Sequence, residues 1–213
     1  SKDIVSKLKN HEDFRKLFSN FLFEIGYNKG GTFWDRFVVR VAPAENNLPY
    51  REASRINIHR DTWGTNLYQQ INWWAPVSNV EEKNTMIFYP DYFDVPVKNT
   101  TSTWDLNIYL ANRKKGDFSY PSAPQLKEDL PSNIKKIPVT IKPGEILCFS
   151  GAHLHSSSKE KSENTRISFE IRTICENDLN SSAQAPNVDC DLQWKFPKIF
   201  KKINDNSPLK ITS

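Results

Sequence analysis

The sequence predicts an all-β core, a sandwich or jelly roll, that is preceded by one packing helix. Between residues 36 and 174, eight short runs rich in β-branched and aromatic residues alternate with Pro, Gly and Asn turn residues. Ahead of them, residues 11–25 carry apolar side chains at helical spacing. The chain has 213 residues, which suits one sizeable domain, so we expect residues 1–213 to form a single domain.

The packing helix is predicted over residues 11–25. Its apolar side chains recur at intervals of three and four and share one stripe, formed by Phe14, Leu17, Phe18, Phe21, Leu22 and Ile25. Gly26 follows as a C-terminal cap, because glycine readily adopts the left-handed conformation that ends many helices. A stripe with this many aromatic residues predicts packing against a sheet and not a ligand site.

The predicted strands lie within a jelly-roll core of about residues 36–175. They cover residues 36–41, 54–59, 66–75, 85–89, 104–110, 136–141, 145–149 and 165–174. Pro143-Gly144 predicts a tight turn, which would make the sixth and seventh strands a hairpin.

Two polar stretches interrupt or follow this core. Residues 111–135 are Pro-rich, and we expect a long functional loop or an insertion that folds over a site. A C-terminal extension covers residues 176–213. Its first part, 176–195, is loop-like, and its tail is expected to pack as a short strand or helix.

Composition narrows the class of protein. The apolar fraction of 38% and the aromatic fraction of 12% suit a packed globular domain, and no run of 18 apolar residues predicts a membrane span. The net charge is +4, but the lysines are interleaved with apolar residues, so we expect no nucleic-acid partner.

The three cysteines lie at unrelated spacings and form no disulfide or zinc pattern. Cys148 is expected in the core. A reducing cytoplasm is the expected location of the protein. The expected partner is a small-molecule substrate, and the oligomeric state is left open.

Two motifs that are distant in sequence indicate the chemistry. His59-Arg60-Asp61 is followed by His155, which lies 94 residues after Asp61. Two imidazoles and one carboxylate can occupy one face of a ferrous ion and leave the opposite face open for a chelating cosubstrate and O2. Strand alternation places His59 and Asp61 on the same side if the strand of residues 54–59 continues for two more residues. We therefore predict that His59, Asp61 and His155 bind Fe(II).

The third ligand is ambiguous between His153 and His155. Both point to the same side of an extended segment, so alternation does not separate them. His155 is preferred because of its spacing from Arg166 and because the small polar Ser156 and Ser157 follow it. His153 would then lie on the substrate side of the metal or at the surface.

A candidate anion site follows the second motif. Arg166 lies eleven residues after His155, and Ser168 lies two residues further along the same predicted strand. A guanidinium and a hydroxyl at this spacing can hold one carboxylate, which predicts binding of the far carboxylate of 2-oxoglutarate. Asn72, on the strand after His-x-Asp, could also hydrogen-bond this cosubstrate, although a core asparagine is equally compatible with its position.

Two further arginines are candidates for the substrate side. Arg172 and Arg55 could contact an anionic group of the substrate, with ordinary salt bridges as the alternative. Trp73 and Trp74 could line the site, but tryptophans in a β-sandwich are more often core residues.

The chain resembles the phytanoyl-CoA dioxygenase-like branch of the Fe(II)/2-oxoglutarate oxygenases over roughly residues 55–175. The segments that carry the resemblance are His59-Arg60-Asp61, Trp73-Trp74-Ala75, and His155-Ser156-Ser157 with Asn164-Thr165-Arg166. The acidic segment 81–90 is similar more loosely, because Thr85 stands where the family has glycine. Asp91-Tyr92-Phe93 likewise replaces the family's Gly-Ser-His. Both departures lie on the substrate side and leave the substrate open.

The resemblance implies a double-stranded β-helix with iron at one open end of the barrel. It implies that 2-oxoglutarate and O2 are consumed, that succinate and CO2 are released, and that a small polar metabolite is hydroxylated. His59, Asp61 and His155 would hold Fe(II), and Arg166 and Ser168 would hold the 5-carboxylate of 2-oxoglutarate.

Two other functions fit the same residues. A cupin-type metalloenzyme that does not use 2-oxoglutarate would keep the metal ligands but would leave Arg166 and Ser168 without a role. A non-catalytic jelly-roll binding module would bind Fe(II) without turnover of 2-oxoglutarate. A relative that binds halide at a vacated ligand position is disfavoured, because Asp61 is retained.

Overall fold

The computed structural model describes residues 12–28, 30–44, 56–117, 119–158, 160 and 162–211. The role predicted for Arg55 therefore lies outside the described residues, as do the first residue of the predicted helix and the first two residues of the strand 54–59. Residue 118 of the predicted insertion and residues 212–213 of the C-terminal extension also lie outside them.

The described chain contains short helices and antiparallel strands. The helices are α1 (Glu12–Glu24), α2 (Thr62–Thr65), α3 (Leu106–Lys114) and α4 (Glu176–Ser181). The strands are β1 (Thr32–Trp34), β2 (Val38–Ala42), β3 (Ile71–Pro76), β4 (Met86–Phe88), β5 (Ile137–Pro138), β6 (Leu147–Ser150), β7 (His155–Ser157), β8 (Arg166–Cys175) and β9 (Lys201–Lys202). Single 3-10 turns cover Glu82–Asn84, Pro90–Tyr92 and Pro197–Ile199. Within this part of the chain, no helix has the length and apolarity that a bilayer crossing requires.

The strands form two antiparallel sheets. The larger sheet has the order β6-β3-β8-β1-β9. Strand β3 pairs with one edge of β8. Along the other edge, β2 pairs with the first half of β8 and β1 pairs with its last residues. The smaller sheet has the order β5-β4-β7. The long strand β8 organises the larger sheet, and alternation along it places Arg166, Ser168, Glu170 and Arg172 on one face.

Helix α1 packs on the outer face of the larger sheet. Phe18 and Leu22 are buried in one apolar cluster with Trp34, Trp73 and Ile171. The rings of Phe18 and Trp73 meet edge to face with centroids 6.1 Å apart, a favourable arrangement for aromatic pairs. The predicted packing helix is confirmed, and Gly26 ends it with a φ of +100°.

A second apolar cluster joins the inner faces of the two sheets. Trp74 of the larger sheet packs with Met86 of the smaller sheet and with Val139. Phe88 and Phe149 meet across the same gap with ring centroids 5.0 Å apart. The two sheets are thus held face to face at one end, which positions the polar face of β8 towards a space between them.

The strand predicted over residues 104–110 is wrong, because this segment begins helix α3. The alternating apolar residues suggested a strand, but Asp105 accepts hydrogen bonds from the backbone N–H groups of Asn107 and Ile108. This N-cap satisfies donors that the first helical turn leaves free. Local capping chemistry therefore decides against the strand pattern.

The predicted hairpin at Pro143-Gly144 is also wrong. The turn forms, with Gly144 at a φ of +95°, but the strands on either side of it belong to different sheets. Strand β5 pairs with β4, whereas β6 pairs with β3. A turn propensity specifies that the chain reverses and does not specify which strand it then meets.

Smaller differences concern element boundaries and one side chain. The strand predicted from residue 66 begins at Ile71, because Asn66 adopts a left-handed conformation with a φ of +55°. The segment 176–195 is not wholly loop, since its first residues form α4. Cys148 is exposed on β6, so its predicted place in the core is wrong.

Candidate metal centre

Backbone pairing brings the two predicted metal-binding histidines together. His59 donates its backbone N–H to the carbonyl of His155 over 2.9 Å, and His155 donates to the carbonyl of His59 over 3.0 Å. A third bond, from Ser157 to the carbonyl of Ile56, continues this pairing. As a result, the two imidazole rings lie side by side with centroids 4.3 Å apart.

Asp61 reaches the same place by a different route from the one predicted. The strand does not continue past His59, because Asp61 has helical dihedral angles (φ −65°, ψ −28°) and is the N-cap residue directly before helix α2. The helical turn places the Asp61 carboxylate 3.3 Å from Nε2 of His59. The expectation of an extended His-x-Asp segment is therefore wrong, although both side chains lie on the same side.

The three side chains form one compact donor set. Ligand atoms of His59, Asp61 and His155 all lie within 4.8 Å of one another. In both rings Nδ1 faces a carbonyl oxygen, of Asn57 at 2.8 Å and of His153 at 2.9 Å respectively. Since a carbonyl can only accept, each Nδ1 carries the proton and each Nε2 keeps the lone pair that binds a metal.

The protonation states of the donors suit a divalent cation. Burial would raise the pKa of Asp61, but its close contact with the His59 ring and the positive charge of Arg172 lower it far below its usual range. Burial and the neighbouring His59 lower the pKa of His155 to about 4. At neutral pH the carboxylate is therefore ionised and the His155 imidazole is neutral, as metal binding requires.

A buried hydrogen-bond chain orients Asp61. Asn72 donates its side-chain N–H to Oδ2 of Asp61 and accepts a hydrogen bond of 2.9 Å from Gln70. Thr65 in turn donates to Gln70 over 3.1 Å. Partners behind a ligating carboxylate fix its orientation, so Asn72 acts on Asp61 in this structure. The contact between Asn72 and the cosubstrate stays a prediction.

His153 lies apart from the donor set. Its ring packs against the rings of Phe93, at a centroid distance of 4.6 Å, and of Phe88, at 5.5 Å. Its Nδ1 lies 3.1 Å from the carbonyl of Ser150. Of the two candidate histidines, His155 is therefore the one that the structure brings to His59 and Asp61.

The predicted anion site is buried and its donors are unpaired. Arg166 is 4% exposed and Ser168 is fully buried. Within the described chain, Nε of Arg166 and Oγ of Ser168 have no hydrogen-bond partner. The Trp74 ring lies 5.6 Å from the Arg166 guanidinium carbon and holds it in place. Buried donors without partners are rare in folded proteins, and a bound carboxylate would satisfy both of these.

One cavity connects the metal donors with Arg166. It has a volume of about 540 Å³ and is lined by His59, Asp61, His155, Arg166 and Glu170, among others. Tyr109 and Arg113 of helix α3 and residues 122–125 also line it. The Pro-rich insertion thus contributes to the cavity wall, as one of the two alternatives for this segment predicted. Arg172 borders the cavity too, but its guanidinium is paired with the buried Asp35 at 2.5 Å.

Sequence reasoning missed a buried network around Arg60. This side chain is 2% exposed and donates to the carbonyls of Tyr92, Val95 and Ala152. It also pairs with Asp189 at 3.1 Å. The position of Arg60 between two predicted metal ligands was a possible signal, but nothing local to the motif indicates Asp189 in the C-terminal extension.

No protein-family model matches the sequence, and no curated protein matches it. Among solved structures, EvdO2 from Micromonospora carbonacea var. aurantiaca, complexed with 2-oxoglutarate, has a TM-score of 0.52 at 11% identity. The match covers 91% of this chain and 71% of that chain. This chain shares the EvdO2 fold.

Two further solved structures are less similar, with TM-scores below 0.5. The non-heme monooxygenase ThoJ has a TM-score of 0.45 at 14% identity, with 68% of this chain and 47% of that chain covered. The α-ketoglutarate-dependent epimerase SnoN from nogalamycin biosynthesis has a TM-score of 0.42 at 14% identity, with coverage of 81% and 58%. The chain therefore spans about half the length of ThoJ. The His-Asp-His donor set and the unpaired anion site are consistent with Fe(II) and 2-oxoglutarate.

Proposed function

We propose that this chain is an Fe(II)- and 2-oxoglutarate-dependent oxygenase that hydroxylates a small polar metabolite and releases succinate and CO2. One observation carries the proposal: the His-Asp-His donor set and Arg166, whose buried Nε has no partner within the described residues, line the same cavity. The unpaired Oγ of Ser168 lies two residues from Arg166 on the same face of β8. The donor set alone would suit many metalloenzymes. The anion site supplies what a chelating dicarboxylate needs at its far end.

Each residue has a separate task in this proposal. When bound, Fe(II) supplies the redox chemistry that couples decarboxylation of 2-oxoglutarate to oxidation of the substrate. Asp61 and the neutral His155 hold the ion together with His59. Arg166 and Ser168 anchor the far carboxylate, so that the keto acid end is directed towards the metal donors. Tyr109 and Arg113 of helix α3 and residues 122–125 form part of the cavity wall, where a substrate would lie.

The proposal extends to the architecture. We assign the two facing sheets to a double-stranded β-helix within a single oxygenase-like domain of residues 1–213, with the metal at one open end. The pairing of His59 with His155 and the similarity to EvdO2 support this assignment.

The test is a turnover assay with the Fe(II)-loaded protein. We expect succinate to form only when 2-oxoglutarate, Fe(II) and O2 are all present, and candidate small polar metabolites to stimulate it. Incorporation of one atom of isotopically labelled O2 into the organic product would identify hydroxylation. Asp61→Ala should abolish succinate formation, and Val77→Ala, at an exposed apolar residue outside the cavity lining, should not change it.

The same assay separates the two alternatives. A product that forms with O2 but without 2-oxoglutarate would indicate a cupin-type metalloenzyme. Tight Fe(II) binding without any turnover of 2-oxoglutarate would indicate a binding module.

A further inference from the structure

Arg40 of strand β2 lies between two charged residues of strand β8. Arg40 pairs in register with Ser168, while its neighbours along the strand, Ala42 and Val38, pair with Arg166 and Glu170. Arg166 and Glu170 are therefore the two diagonal neighbours of Arg40, at positions where long side chains on one sheet face can meet. Arg40, Arg166 and Glu170 all line the cavity.

One end of the Arg40 guanidinium is hydrogen-bonded and the other is not. Its Nη2 donates to Oε1 of Glu170 at 2.5 Å, whereas its buried Nε has no partner within the described chain. The unpaired donors of Arg166 and Ser168 lie on the adjoining positions of the same face. Buried donors without a partner are rare in folded proteins, so three of them at neighbouring positions indicate that an acceptor binds there.

The charges of this group are also unbalanced. Burial and the positive charge of Arg40 together lower the pKa of Arg166 to about 10, although Glu170 opposes them. Two guanidinium groups that repel each other are partly compensated by the single carboxylate of Glu170. The group therefore carries a net charge of about +1, which one carboxylate would neutralise.

We propose that Arg40 is a second cation of the cosubstrate site, which donates its Nε–H to the far carboxylate beside Arg166 and Ser168. In this arrangement Glu170 holds the other end of the Arg40 guanidinium and sets the charge of the site to suit a singly charged carboxylate. The inference rests on the proposed function, because it assumes that the far carboxylate of 2-oxoglutarate occupies this site.

The arrangement has a consequence for selectivity. A phosphonate in place of the far carboxylate carries up to two negative charges and would leave the group of Arg40, Arg166 and Glu170 with excess negative charge. The wild-type protein should therefore prefer 2-oxoglutarate to 2-oxo-4-phosphonobutanoate. Without the charge of Glu170, this preference should decrease.

Binding is measured by calorimetry on the Mn(II)-loaded protein without oxygen, so that no turnover is needed. Removing a hydrogen bond to a charged group predicts that Arg40→Gln weakens 2-oxoglutarate binding about 10- to 100-fold. Arg36→Gln is the charge-matched control, because Arg36 lines the same cavity but is exposed. It should change binding less than about threefold, as expected for an exposed charge. Equal binding by these two variants would overturn the role of Arg40.

A double variant separates direct contact from net charge. Arg40→Gln with Glu170→Gln removes one charge of each sign and leaves no unpaired carboxylate behind, which protects the fold. The proposal predicts that binding stays weak, because the Nε donor is missing. Recovery of wild-type affinity would show that only net charge matters and would overturn the contact.

A further variant tests the role of Glu170. The outcomes below also separate a failure of the proposed function from a failure of the role of Arg40. Glu170→Gln should narrow the preference for 2-oxoglutarate over the phosphonate by about threefold, since the Glu170 side chain is 29% exposed and its charge is partly screened by water. An unchanged preference would overturn the role of Glu170. If the wild-type Mn(II) protein binds no 2-oxoglutarate at all, the proposed function fails. If the wild type binds it and only Arg166→Gln loses it, the proposed function stands and the role of Arg40 is rejected.

Discussion

At the scale of single residues, two histidines two positions apart have different surroundings. His155 pairs with His59 in the donor set, whereas His153 packs among phenylalanine rings. We predict that His155→Ala weakens Fe(II) binding more than about 100-fold, beyond the loss typical of a residue that only orients a ligand. His153→Ala is the matched control and should retain the metal. Titration with Fe(II) under argon measures both, and the opposite ranking would show that His153 is the ligand.

The pKa of His155 predicts how the metal-free protein responds to acid. This pKa lies at about 4 in the folded chain, against 6.5 for an ordinary histidine. As pH falls below 6.5, His155 therefore takes up a proton in the unfolded chain. In the folded chain it stays neutral until about pH 4. Stability should be lost across this interval, by up to about 1.4 kcal/mol per pH unit.

Urea unfolding of the metal-free protein between neutral pH and about pH 5 measures this effect. His155→Gln serves as the comparison, because it removes the titrating group and keeps a side chain of similar polarity. The wild type should lose stability more steeply than the variant as pH falls. Equal slopes would show that His155 titrates normally.

At the scale of elements, helix α3 depends on the N-cap residue that precedes it. Asp105 caps two backbone N–H groups, and the helix carries Tyr109 and Arg113 to the cavity. We predict that Asp105→Ala destabilises the helix by about 1 kcal/mol, whereas Asp105→Asn, which preserves a capping oxygen, costs much less. Amide hydrogen exchange of residues 106–114 reports the change. Similar protection in the two variants would exclude capping as the cause.

Local patterns predicted some elements and missed others for identifiable reasons. The periodicity of residues 11–25 predicted α1, because apolar side chains at intervals of three and four share one face only in a helix. Phe18 and Leu22 of this stripe are buried, whereas Leu17 and Ile25 are exposed. The run 104–110 alternates like a strand, yet a single capping carboxylate makes it helical. The turn at Pro143-Gly144 formed without the hairpin, because strand pairing depends on residues far away in the sequence. Local chemistry therefore predicts the conformation of a segment better than its partner.

At the scale of the whole molecule, one buried ion pair ties the C-terminal extension to the metal-binding segment. Arg60 and Asp189 have side chains that are only 2% and 4% exposed. Removing one partner of such a pair leaves a buried charge, so we predict that Asp189→Asn costs about 3–5 kcal/mol of unfolding free energy. Asp191→Asn, at an exposed neighbouring position, should stay within about 0.5 kcal/mol. Urea unfolding compares them, and equal effects would show that the ion pair does not stabilise the fold.

The site was predictable to the extent that its residues are close in sequence or fall at recognisable spacings. His59, Asp61 and His155 come together in the structure, and Arg166 and Ser168 have the unpaired donors that an anion site requires. Arg40 and Glu170 could not be found in this way, because their proximity depends on the register between β2 and β8. Asp189 depends on the path of a segment that has no regular pattern.

The bridge between His59 and His155 also has a consequence for how the chain folds. The two residues that exchange backbone hydrogen bonds are far apart in sequence, so closing this loop is costly in entropy and slow. A divalent ion finds its complete set of donors only after closure, and it therefore binds the native chain in preference to the unfolded one. At a free metal concentration about a thousand times the dissociation constant, this linkage adds about 4 kcal/mol to the stability of the native state. On the proposed function, the supply of metal would then affect how long the native chain persists.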